Sequence, residues 1–168
     1  MALRLYGQVP PGAGAAARVH YGEARCWLAL GAVERAVEAL RQTVALAETT
    51  SAGHELAAAA MELLGQTWLR LGRNDSARAT FAELGRRWPD RRDWAAVMVG
   101  RTWQSEGAYR SAFEAIRPQL REGRCGTSYD LALALYWKLD AGARRELDRL
   151  LSDCLRATGR ALAGGDGQ

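Results

Sequence analysis

Three tryptophans stand in one register. Trp27, Gly31 and Ala36 have the spacing W-x3-G-x4-A, and it returns as Trp68, Gly72, Ala77 and again as Trp103, Gly107, Ala112. The starting points lie 41 and then 35 residues apart, so the second and third units are nearly regular and about six extra residues follow the first. A period of this length is the mark of a repeat architecture, in which each unit buries its apolar face only against its neighbours. Composition agrees with helical units. Alanine (32) and leucine (22) dominate, while valine and isoleucine together number 8, which leaves little material for a sheet.

Each unit reads as two helices joined by a tight turn at its glycine. In the second, Met61, Leu64, Gly65, Trp68 and Leu71 follow the rhythm of one helical face, and Gly72 ends that helix. Asn74 or Asp75 is expected to cap the next helix, whose buried stripe is Ala77, Phe81 and Leu84 and whose stop is Trp88-Pro89. Gly65 and Ala77 let the helices approach, and Trp68 and Phe81 fill the space left over. The third unit repeats the design with Val99, Gly100 and Trp103, then Ala112, Phe113 and Ile116. Pro118 is expected to kink or shorten its second helix, because proline deletes a hydrogen bond and clashes with the preceding turn. The first unit has Val19, Ala24 and Trp27, then Ala36, Leu40 and Val44. A last pair, SYDLALALYWKLD and AGARRELDRLLSDCLRATG, carries Leu147, Leu151 and Cys154 on a buried stripe and reads as a degenerate unit shielding the end of the stack.

These residues resemble the tetratricopeptide repeat family, whose pattern W-x2-L-G-x2-Y, A-x3-F and P is met in the second unit by Met61, Leu64-Gly65, Trp68, Ala77, Phe81 and Pro89. Met61 and Trp68 depart from it, both toward other large apolar side chains. The third unit matches through Val99-Gly100, Trp103, Ala112 and Ile116 but has Arg124 where the proline would fall, and the first matches only from Trp27 onward. The resemblance implies an all-α, right-handed superhelix of about seven to eight helices in antiparallel pairs. Its first helices would line a concave groove that binds peptides or proteins, with no chemistry. The expected organisation is an arm over 1–13, one repeat domain over 14–160 with units at about 14–50, 54–89, 93–124 and 128–159, and a flexible tail over 161–168.

On that frame the stripe beside each first helix's core face looks into the groove. It comprises Tyr21, Arg25 and Leu28, then Glu62, Gln66 and Arg70, then Trp94, Val97, Arg101 and Gln104. Three arginines against one glutamate suit bidentate capture of carboxylates, so the expected ligand is an acidic, partly apolar protein segment, with an aromatic anchored at Trp94. The lysine and asparagine clamp of the family's chaperone-binding branch finds no counterpart, since Lys138 is the single lysine and Asn74 falls in a turn.

The net charge of +4 comes almost entirely from 22 arginines, with 19 carboxylates interspersed, and speaks of solubility and steering rather than of a nucleic-acid partner. RRWPDRRDW, residues 86–94, interleaves arginine with tryptophan and so permits phosphate and base contacts, which keeps a nucleic-acid-associated regulatory module as the alternative function. The blander reading assigns Arg86 and Arg87 to a helix C-terminus and lets Asp90 and Asp93 neutralise Arg91 and Arg92. A third possibility is a fragment of a larger repeat assembly, joined through the terminal helices. No enzyme is expected. Gly12-Ala13-Gly14-Ala15-Ala16-Ala17 follows Pro10-Pro11 rather than a strand, His20 and His54 lack partners at metal-ligand spacing, and no cofactor or metal is called for. Cys125, flanked by arginines, reads as an inert loop residue rather than a reactive thiol, and Cys26 and Cys154 as small core hydrophobes. Three widely separated cysteines read as thiols, and with no apolar leader or membrane-length run they suggest a cytoplasmic protein.

Overall fold

The computed structural model describes residues 12–48 and 53–164, with side chains described as far as residue 157. Residues 1–11, most of the expected N-terminal arm, lie outside that range, as do residues 165–168. Among the described residues there is no strand. The helices are α1 (Ala13–Ala29), α2 (Val33–Ala47), α3 (His54–Arg70), α4 (Asn74–Arg87), α5 (Arg92–Ser105), α6 (Tyr109–Arg121), α7 (Tyr129–Tyr136) and α8 (Ala141–Gly164), with a 3-10 turn at Pro89–Arg91. The chain divides into two compact units, Met1–Leu84 and Gly85–Gln168, the boundary falling in the last turn of α4.

One cap is repeated at three helix ends. At the end of α1, Gly31 takes φ 73° and donates its N–H to Leu28 O at 3.2 Å, while the Ala32 N–H donates to Trp27 O at 2.9 Å. Gly72 (φ 68°) and Gly107 (φ 75°) close α3 and α5 in the same way, with Arg73 donating to Trp68 O and Ala108 to Trp103 O, each at 2.9 Å. This is the Schellman arrangement, and its left-handed residue is why a glycine stands four places after each tryptophan. The alanine of the register has a backbone role as well. Ala36, Ala77 and Ala112 donate to the carbonyls of Ala32, Arg73 and Ala108, closing the first turn of the following helix, and all three side chains are fully buried.

So tight a turn leaves one residue between the cap glycine and the next helix. Asn74 and Asp75 therefore lie inside the first turn of α4, and Arg73 occupies the cap position expected for one of them. The stop at Trp88-Pro89 holds: α4 ends at Arg87, Trp88 is extended, and Pro89 begins the 3-10 turn.

In the first unit α1 packs on α2 and α2 on α3, and α1 also touches α3. The buried set includes Ala24, Ala36, Leu40, Met61, Leu64, Trp68, Ala77, Phe81 and Leu84. Leu71, expected on the same face, is exposed because it forms the turn itself. A Cβ built on Gly65 would lie 2.7 Å from Phe81 Cζ, so the missing side chain is the space the phenyl ring occupies. The register tryptophans share a backbone geometry but differ in burial. Trp68 is buried with the Arg41 and Arg73 guanidiniums both near its ring, at 5.8 and 5.4 Å, whereas Trp27 and Trp103 are half-buried, Trp27 with Arg35 over its ring at 4.7 Å.

In the second unit α5 packs on α6, α6 meets α7 and α8, and α7 meets α8. Phe113, Ile116, Leu120, Leu131, Leu135 and Leu147 make one core with Cys154. Gly100 repeats the role of Gly65: its Cβ would lie 2.6 Å from Leu131 Cδ2. Pro118 does not end its helix. It is exposed, and α6 runs on to Arg121 because Leu120 still packs in the core; a fourth glycine, Gly123 (φ 74°), then closes it with the same pair of bonds.

Two sequence expectations are overturned in this unit. Cys125 and Cys154 are joined in a disulfide across a Cα separation of 6.1 Å, so Cys26 alone is a free thiol. Nor is the last helix pair a shield on all sides, since it leaves Tyr129, Leu133, Trp137 and Leu155 exposed.

Candidate peptide-binding faces

Arg25 and Arg101 occupy the same register position, two residues before Trp27 and Trp103, and Gln66 holds that place before Trp68. Both arginines are exposed and Gln66 is half-buried. In the first unit α1 presents Tyr21 and Leu28, both half-buried, beside Arg25, while α3 presents half-buried Glu62 and Gln66 and exposed Arg70. In the second, α5 presents half-buried Trp94 and Gln104 and exposed Arg101. Val97 is not at the surface. It is 5% exposed and belongs to the core with Phe113 and Ile116, because an apolar side chain at that register buries where Glu62, six residues before its own tryptophan, stays half out.

Among the described residues, Arg25, Arg70 and Arg101 have no carboxylate within ion-pair distance, in contrast to the arginines of α6 and the turn after it. Arg110 meets Glu114 (3.1 Å) and Asp140 (3.3 Å), Arg117 meets Glu114 (2.6 Å), Arg121 meets Glu146 (2.7 Å), and Arg124 grips Asp93 with two bonds of 2.8 and 2.9 Å. The hydrogen bond to Asp93 raises the Arg124 pKa further above its ordinary value. An exposed guanidinium without an internal partner keeps its bidentate fork available to an outside carboxylate.

The segment 86–94 is arranged differently. Trp88 is 1% exposed with the Arg87 guanidinium over its ring at 4.6 Å, so it offers no stacking platform for a base. Arg91 pairs with Asp90 at 3.2 Å, and Asp93 is held by Arg124.

Sequence reasoning missed a cavity of about 210 Å³ in the first unit, lined by Glu34, Val37, Glu38, Arg41, Trp68, Leu71 and Arg73. Its signal was present: Arg73 follows the cap glycine and thereby lands beside Trp68. His20 bonds Glu23 at 2.9 Å on α1, and His54 opens α3. The glycine-alanine run at 12–17 is the start of α1, not a phosphate loop, with Ala15 donating to Gly12 O. Among the described residues no group of three or more His, Cys, Asp or Glu is placed to hold a metal, and no helix is long and apolar enough to cross a membrane.

The architecture defines an all-α helical-repeat protein of the solenoid class. Residues 59–91 match the family model of the tetratricopeptide repeat, and the fold is that of tetratricopeptide-like repeats. The chain is similar to a crystal structure of Podosopora anserina putative kinesin light chain nearly identical TPR-like repeats, at 20% identity and a TM-score of 0.65, over 95% of this chain and 83% of that one. A crystal structure of a point variant of that same protein is similar at 19% identity and a TM-score of 0.64, over 96% and 84%. No curated protein matches the chain. Repeats of this kind generally mediate protein–protein interaction and typically serve as non-catalytic scaffolds.

Proposed function

We propose that the chain is a non-catalytic interaction scaffold that holds an acidic, partly apolar segment of another protein, with Arg25 and Arg70 of the first unit and Arg101 of the second as its carboxylate-binding groups. The observation that carries this reading is the contrast between those three exposed guanidiniums and the carboxylate-paired arginines of α6. Tyr21 and Leu28 on α1 and Trp94 on α5 supply apolar surface beside them. The organisation into units at 14–50, 54–89, 93–124 and 128–159 belongs to the same proposal. The Cys125–Cys154 bond removes the three-thiol argument for a cytoplasmic location, since disulfides persist mainly in oxidising compartments.

The test is a capture experiment from native lysate with wild type and an Arg25→Glu, Arg70→Glu, Arg101→Glu triple variant. The expected result is loss of the wild-type partners by the triple variant, whose helical circular dichroism stays unchanged because all three positions are exposed. Recovery of the same partners by both baits would sink the arginine reading and leave the fold untouched.

A further inference from the structure

Tyr129, Leu133 and Trp137 are spaced four residues apart along α7 and the turn after it, so they lie on one face. They are 38, 47 and 78% exposed, while Leu131, Ala132, Leu135 and Leu139 between and beyond them are buried in the core. Beside Tyr129 opens a cavity of about 260 Å³, lined by Cys125, Gly126, Tyr129, Leu151, Cys154 and Leu155, and Leu155 is itself 63% exposed. That volume falls below the ~300–1,000 Å³ of small-molecule sites and is on the scale of one large side chain. At the other end of the stripe, Arg144 lies over the Trp137 ring at 5.5 Å and the Tyr136 ring packs edge-on against it at 4.9 Å, which holds the indole in place outside the core.

The stripe is self-complementary. It reads aromatic, leucine, aromatic with equal steps on either side of Leu133. An acid, Asp130, follows the first aromatic, and a base, Lys138, follows the second. A two-fold axis through Leu133, perpendicular to α7, exchanges the positions of Tyr129 and Trp137, which lie ~6 Å to either side of it along the helix. Such an axis keeps each side of the seam on the same side, so Asp130 of one copy comes beside Lys138 of the partner subunit, and the reverse. Asp130 and Lys138 are both exposed, Lys138 with its ammonium 6.0 Å from the Tyr109 ring centroid. We propose that this face is a contact between two copies of the chain, α7 antiparallel to α7 about Leu133, with Trp137 of each copy entering the cavity beside Tyr129 of the other. A stripe this short makes a weak, concentration-dependent dimer rather than an obligate one.

Sedimentation velocity of the full chain over a range of concentrations tests this, with circular dichroism melts confirming that each variant folds. Wild type is expected to sediment faster as concentration rises, and Trp137→Ala to require at least ~10-fold more protein for the same shift, as loss of an aromatic anchor seated in a pocket does. Asp130→Lys and Lys138→Asp are each expected to remain monomeric, because each brings like charges together twice. An equimolar mixture of these two single variants restores both pairs and is expected to associate, as is the double variant. Three results would overturn the proposal: a wild type that stays monomeric throughout, a wild-type dimer indifferent to Trp137→Ala, or a mixture of the charge variants that associates no better than either alone. The last outcome would assign the face to a different protein.

Discussion

Helix propensity alone favours alanine over glycine at position 65 by about 1 kcal/mol. Packing opposes it. The Phe81 ring that an alanine methyl would strike is fully buried, so it can yield only by displacing its neighbours in the core, and overpacking of this kind costs about 1–3 kcal/mol. Gly65→Ala is therefore expected to lower stability in a urea melt, and the added change Phe81→Leu to weaken or abolish that penalty, the two substitutions coupling because they meet in one space. A stabilising Gly65→Ala would mean that the helices separate easily. Gly107 is the opposite case. Nothing surrounds its Cβ position, but its φ of 75° is left-handed, so Gly107→Ala is expected to cost about 1–2 kcal/mol from backbone strain alone, with no second-site rescue by a core residue. Both roles were legible in the sequence, Gly65 from its place between bulky residues on a helical face and Gly107 from the register. That Phe81 rather than a backbone fills the space at Gly65 was not, because it depends on where a ring from the next helix lands.

At the level of elements, α8 is held at its start and along its length by groups that sequence pattern alone underused. The Asp140 carboxylate accepts from the Gly142 and Ala143 amides at 2.8 and 2.9 Å and from Arg110 at 3.3 Å, an N-cap of the kind absent from the alanine-capped α2 and α6. The Ala143 amide, then Gly142 and Arg110, hold its pKa below the ordinary carboxylate value. A carboxylate depressed in the folded state contributes stability above the unfolded pKa and loses it as pH falls through the folded one. Asp140→Ala is thus expected to lower the Tm near neutral pH, and the gap from wild type to close as the solution is acidified through that range; a gap unchanged at low pH would assign the loss to something other than the charged cap. The Cys125–Cys154 bond ties the same helix to the segment after α6 across a sequence separation of 29, worth on the order of 3 kcal/mol by loop closure. A reductant should lower the denaturation midpoint of wild type and leave that of Cys125→Ser where it was. Asp140, directly before AGARREL, was not singled out in the sequence, although an acid at that place meets the rule for a cap. The disulfide was not legible, because pairing depends on a tertiary distance that no spacing of two lone cysteines encodes. Asp93 gives the same lesson: Arg124, 31 residues away, and the buried Gln119, whose amide nitrogen faces it at 3.2 Å, become its partners only once α5 and α6 pack.

For the molecule as a whole, fold class was legible because each cap is confined to a handful of consecutive residues and recurs three times, so pattern and structure carry the same information. The candidate binding residues were legible in register and less so in exposure. Glu62 and Val97 stand at one register position and differ in burial because one is charged and the other apolar, which is why Val97 had to leave the proposed face. The same contrast of charge and burial bears on the basic character of the chain. With a net charge of +4 and Trp88 buried, contact with a polyanion would be counterion release with little stacking, and such binding falls by about 10³ or more between about 50 and 200 mM salt when several phosphates are engaged. An acidic segment gripped by Arg25 and Arg70 on the first unit, or by Arg101 on the second, and seated on Tyr21, Leu28 or Trp94 would keep its apolar share of affinity over that range. Anisotropy titrations of labelled acidic-aromatic peptides and of a mixed-sequence oligonucleotide, each at both salt concentrations, separate the two. The peptide is expected to retain measurable binding at high salt and to lose it in the triple glutamate variant, while the oligonucleotide binds weakly and is released by salt. An oligonucleotide that survived high salt and displaced the peptide would show that the arginine faces serve phosphates, and the acidic-segment proposal would fall with it.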